Sequence, residues 1–177
     1  MGIYHVNLGA ERIGQISYDK YGSAMRVIEY KTANDLTVEF VESGSIVHTT
    51  WRNFQAGVVK DPMAKSVYGI GVYGIGPYSS HEHPGAYRKW FDMLRRCYDP
   101  KWSKRGDAYK DVHVCEEWLN FQNFATWYYD NIPDLTNDYE LDKDVLGGFG
   151  TKLYCPDNCS LIPQRINTMI SLKEKIR

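Results

Sequence analysis

The sequence predicts an α+β fold in two parts joined by a connector, and three observations carry this. Short runs rich in β-branched and aromatic residues fill the first third of the 177-residue chain. Later segments repeat large apolar residues at three- and four-residue spacing, the period of a helix with one buried face. Between them lies a stretch dense in Gly, Pro and Ser. The boundaries that follow are residues 1–66 for the β part, 67–84 for the connector and 85–177 for the rest.

In chain order, "AMRVIEY" (24–30), "LTVEFVE" (36–42) and "SIVHTTW" (45–51) read as strands. The turn-like "KTAND" and "SG" separate them. "RNFQAG" reads as a helical turn closed by Gly57. Several short strands with tight turns in so short a span predict a small SH3-like β barrel. The connector "VYGIGVYGIGPYSSHEHP" contains a formal G-x-G-x-x-G at Gly69, Gly71 and Gly74. Pro77 and two serines break the helix that a dinucleotide site needs next, so the segment reads as an extended linker. "GAYRKWFDMLRRCYDP" (85–100) predicts a helix with Tyr87, Trp90, Phe91, Leu94 and Tyr98 on one stripe, stopped by Pro100. "CEEWLNFQNFATWYYDN" (115–131) predicts a second, buried through Trp118, Phe121, Phe124, Ala125 and Tyr128. "ELDKDVL" and "LYC" predict the two strands of a hairpin about the turn "GGFGTK". The chain then closes with a helix that Pro163 can begin.

The composition, 43% hydrophobic and 24% charged, is that of a globular protein. No apolar run nears the roughly 20 residues that span a bilayer. The first residues lack the pattern of a signal peptide. A cytosolic chain with reduced thiols is therefore expected. The four cysteines, Cys97, Cys115, Cys155 and Cys159, include one close pair where a structural zinc site wants two, which disfavours zinc. Charge is uneven. Residues 85–110 carry eight basic against three acidic residues, and residues 111–144 carry one against nine. A phosphate-binding face beside an acidic face is one meaning, and two solvated helix faces is the other.

A hairpin followed by a helix, with Asp142 near the first strand and Asn158 near the helix, outlines a ββα-metal site. Asp142 and the Asn158 amide oxygen suit a hard cation, Mg²⁺ or Mn²⁺. Hydrolysis of a phosphodiester also needs a base for the attacking water, and His suits that task near neutral pH.

The motifs "YRKWFDMLRRCYD", "VCEEWLNFQNF", "LDKD", "YCPDNC" and "QRIN" together resemble a family of bacteriophage and prophage HNH endonucleases. The resemblance covers about residues 86–170. It implies Asp142 and Asn158 as metal ligands, Asp144, Gln164 and Asn167 as their supports, and a bacterial host cytoplasm. HNH nucleases follow the Asp with the base His, and here Lys143 stands in that place. Three readings stay open: a scaffold that binds DNA without cutting it, a base supplied by His113, or Lys143 on phosphate with no dedicated base. DNA contact falls to Arg88, Lys89, Arg95, Arg96, Lys101, Lys104 and Arg105. An alternative function is an inhibitor of a host antiviral defence protein, acting by protein binding or DNA mimicry.

Overall fold

The computed structural model describes residues 8–103, 110–148 and 150–174. The chain divides into two compact units, residues 1–64 and 65–177.

The first unit is built on β1 (Ile16–Tyr18), β2 (Ala24–Thr32), β3 (Asp35–Phe40) and β4 (Ile46–Thr49). They form one antiparallel sheet in the order β1-β2-β3-β4. Met25, Val27, Leu36, Val38 and Phe40 are buried, with Phe54 and Val59 packed in the same core, and Thr37 of β3 is buried as well. Helix α1 (Leu8–Arg12) precedes the sheet and α2 (Trp51–Gln55) follows it. The Thr50 hydroxyl accepts the Asn53 N–H and starts α2. Arg12 lies over the rings of Tyr30 and Trp51, tying α1 to the sheet and to α2. The expected barrel does not close. A closed barrel pairs its first and last strands, and among the described residues β1 and β4 do not pair. The reason is local: β4 is four residues long, and Thr50 turns the chain into a helix instead of a closing strand.

The second unit opens with β5 (Lys65–Val67) and β6 (Gly71–Val72), an antiparallel pair. Helix α3 (Pro84–Tyr98) has Pro84 in its first turn, where a missing N–H costs nothing. Pro100 ends this helix and opens a second short one, α4 (Pro100–Ser103). Strand β7 is His113–Val114. The predicted 115–131 helix divides in two. Glu116–Leu119 is a 3₁₀ turn, and α5 runs Phe121–Asn131. Asn120 separates them, its side chain accepting the Gln122 N–H as an N-cap. Trp90, Met93 and Leu94 of α3 meet Phe121, Phe124 and Ala125 of α5 in the core, with Trp118 beside them. Trp90 Nε1 donates to the Trp118 carbonyl at 2.8 Å. This satisfies a polar atom that burial would otherwise penalise.

Residues 67–84 are not a linker. Gly71 is buried, and a Cβ there would lie 2.5 Å from Leu94 Cδ1. Tyr73 packs on Phe121 and Tyr87. The amide of Gln122, itself buried, accepts the Tyr78 N–H at 3.0 Å and donates to the carbonyls of Tyr73 and Tyr78 at 3.2 and 2.9 Å. Gly71, Gly74 and Gly76 allow close approach to Leu94, Asn120 and Gln122, while Gly69 and Gly74 take the positive φ that glycine adopts readily. Gln122→Ala removes all three bonds and leaves one N–H and two carbonyls in partly buried backbone without this partner. Thermal or urea unfolding should show a loss of roughly 2–4 kcal/mol.

The C-terminal pairing also differs from the expected hairpin. After β8 (Tyr139–Asp142) come α6 (Asp144–Gly147), β9 (Leu153–Tyr154), β10 (Ser160–Pro163) and α7 (Gln164–Glu174). Strand β8 pairs antiparallel with β10, not with "LYC". That segment, β9, pairs in parallel with β7. Burial explains the choice. Tyr139 and Leu141 face the core from β8, and Leu161 joins them from β10. The start of β8 is held by Asp134, which accepts hydrogen bonds from Thr136, Asn137 and Tyr139. Those bonds hold its carboxyl well below the usual carboxylate range.

Candidate functional site

Asp142 ends β8 opposite Ser160 of β10. Its Oδ1 accepts the N–H groups of Asp144 and Val145 at 2.9 and 2.8 Å. Asp142 thereby fixes the first turn of α6, a role that Asp fills well at a helix start. Its second oxygen takes no hydrogen bond among the described residues.

Lys143 is only 7% exposed. Its Nζ donates to both Asp144 oxygens, at 2.7 and 2.8 Å. A charged ammonium held this way has no lone pair to accept a proton. Nor does it face solvent to meet a phosphate. The reading of Lys143 as a catalytic or phosphate-contacting group is therefore corrected: it is half of an internal ion pair. Asp144, expected as a support for the ligands, is the other half.

Asn158 lies in the loop between β9 and β10. Its Nδ2 donates to the Leu153 carbonyl at 3.4 Å, a long bond. This orientation leaves the amide Oδ1 as the free acceptor. Its Cβ lies against Gly147, where an added Cβ would come within 3.2 Å. The two candidate ligands thus stand at the two ends of α6, Asp142 at its start and Asn158 beside its last residue.

His113 is exposed on β7 and pairs with Leu153, the residue whose carbonyl Asn158 uses. No hydrogen bond joins His113 to Asp142 or Asn158 among the described residues. Gln164 and Asn167 lie in the first turn of α7, and the Gln164 N–H donates to the Asp138 carbonyl. Among the described residues, no group of three or more His, Cys, Asp or Glu side chains is placed to hold a metal ion.

The proposed phosphate contacts separate. Lys89 is sequestered, bonded to Glu140 at 2.9 Å and near Asp138 at 3.8 Å. It fastens α3 to β8 and is not open to DNA, contrary to expectation. Arg95 pairs with Asp92 at 2.9 Å and lies over the Trp102 ring. Arg88 and Lys101 are exposed, and Arg96 is half-buried. Lys104 and Arg105 lie outside the described residues.

A groove of about 730 Å³, which sequence reasoning missed, lies beside this region. Its walls include Cys115, Glu117, Trp127, Asp130, Cys155 and Asp157. The signal was present: Asn123, Thr126, Trp127 and Asp130 recur at helical spacing on the face of α5 opposite its buried stripe.

The four cysteines are free thiols. Burial pushes Cys97 and Cys159 up to about 12 and raises Cys115. Burial also raises Tyr87, Tyr98, Tyr128 and Tyr129. A folded pKa above the unfolded one stabilises the fold below the unfolded value, about 8.5 for thiols and 10 for tyrosine. That stability is lost as pH rises through the folded values. The second unit should therefore lose stability progressively from about pH 9 to 12, read as a falling melting temperature across that range.

No family model, curated protein or solved structure matches the chain. Among the described residues, no helix is long and apolar enough to cross a membrane.

Proposed function

We propose that the second unit is an HNH-like ββα-metal scaffold that binds DNA and has weak or lost phosphodiester hydrolysis. The supporting observation is the β8–loop–β10–α7 arrangement: two antiparallel strands run directly into a helix. Asp142 ends the first strand, and Asn158 stands two residues before its pairing partner Ser160. The donors left over suit a hard cation: the second Asp142 oxygen and Asn158 Oδ1 are both oxygens, and Mg²⁺ or Mn²⁺ takes its remaining ligands from water or phosphate. Such an ion would supply charge stabilisation at a scissile phosphate. What the chain does not provide at this place is a base. The group following Asp142 is an ammonium locked to Asp144, and losing a general base typically removes two to four orders of magnitude of rate. Arg88, Arg96 and Lys101 then contribute to phosphate contact, with Lys89 withdrawn into the structure. The N-terminal sheet is read as an SH3-like β unit left open.

The test is binding of duplex DNA with salt varied, beside nicking of supercoiled plasmid in Mg²⁺ or Mn²⁺. The expected result is affinity that falls steeply with salt and nicking no greater than that of Asp142→Ala. Absence of salt-sensitive binding would remove the reading.

A second reading is an inhibitor of a host defence protein. The observation favouring it is the groove, which carries Glu117, Asp130 and Asp157 and, among the described residues, no basic side chain. It presents the charge that DNA presents. Displacement of duplex from a DNA-binding defence nuclease would support it, and failure to displace at any concentration would count against it.

A further inference from the structure

We propose that Cys115 and Cys155 form a reversible disulfide that ties β7 to β9. Val114 and Tyr154 are aligned partners in the parallel pairing, so Cys115 and Cys155 are the next residues on adjacent chains. The pairing continues to this point, since the Cys115 N–H donates to the Tyr154 carbonyl at 2.9 Å. Adjacent strands lie about 4.8 Å apart, inside the roughly 4.4–6.8 Å between Cα atoms that a disulfide bridges. The side chains share a direction as well as a register. Val114 and Tyr154 are buried, while Cys115 and Cys155 both line the groove. Both are partly exposed along the groove, which gives a small oxidant access to them.

Cys159 neighbours both thiols but differs from them in burial, and Cys97 lies on another element, α3. Cys159 is buried beneath the turn in which its own N–H donates to the Cys155 carbonyl.

The oxidant is a peroxide. One thiol attacks hydrogen peroxide, becoming a sulfenic acid as one water leaves. The second thiol displaces the hydroxyl from that sulfur, forming the S–S bond and releasing a second water. The two sulfurs supply the two electrons that reduce the peroxide. A dithiol reductant reverses the step by exchange. Burial holds the Cys115 thiol above its ordinary range, so oxidation is slow at neutral pH and faster in mild alkali. The bond would hold Cys155, the start of the turn that carries Asn158, against the end of β7.

The test oxidises the full-length chain with hydrogen peroxide at mildly alkaline pH, followed by intact mass and peptide mapping without reduction. The expected result is a loss of two hydrogens, two titratable thiols remaining, and one linked peptide pair joining Cys115 to Cys155. Cys115→Ser and Cys155→Ser should each abolish it, with circular dichroism confirming that both variants fold. A link between Cys155 and Cys159, or no intramolecular link while all four thiols stay titratable or end as sulfinic acids, overturns the proposal.

Discussion

Lys143→His is expected to raise metal-dependent nicking of supercoiled plasmid by about 10²–10⁴-fold over the wild type, the usual worth of a positioned general base. The substitution exchanges an amine that donates to both Asp144 oxygens for an imidazole, a side chain suited to accept a proton near neutral pH. It also breaks the pairing of Lys143 with Asp144, so some stability is lost, and the assay belongs below the variant's melting temperature. The gain should vanish in Lys143→His/Asp142→Ala, because a base without a metal ligand does not assemble the site. A gain that survives Asp142→Ala would place the activity elsewhere. No gain in a folded variant that still binds DNA would mean that the base is not what the scaffold lacks.

Trp90→Ala should cost the second unit about 3–5 kcal/mol, the range for truncating a fully buried aromatic side chain. Trp90 has no exposed surface and sits against Phe121 and Tyr87. It also bonds the Trp118 carbonyl and borders Gly71. Truncation therefore opens a cavity and strands a buried carbonyl. It also loosens the glycine-rich segment packed on the same ring. Chemical denaturation followed by the fluorescence of the remaining tryptophans measures this. A loss under 1 kcal/mol would show that α3 and α5 do not depend on this side chain.

The parts of the fold legible in sequence are those where one periodicity dominates. Trp90 and Leu94 on α3, and Phe121, Phe124 and Ala125 on α5, announced both helices and their buried faces. Met25, Val27, Val38 and Phe40 sit on strands that β-branched and aromatic runs had marked. Pairing was less legible. "LYC" and "SLIP" are both short and apolar, and which of them meets β8 depends on where Leu161 and Tyr154 find the core. Glycine misled most: Gly71 reads as freedom in sequence and is tight packing in the fold. At the candidate site, Asp142 and Asn158 were readable as a pattern, and the structure sets them at the two ends of α6. The state of Lys143 was not readable. Its neighbour Asp144 is visible in sequence, but only burial shows that the two charges face each other. Lys89 was misread for the same reason, since its partners Glu140 and Asp138 lie some fifty residues away.

The central claim is that Asp142 and Asn158 share one divalent cation. Mn²⁺ titrated into isotopically labelled protein tests it most directly, because the ion broadens amide signals close to where it binds. The account predicts broadening centred on residues 142–145 and 157–160 in the wild type, abolished in Asp142→Ala. Broadening centred instead on Glu117 and Asp130, or none at millimolar metal, would contradict it.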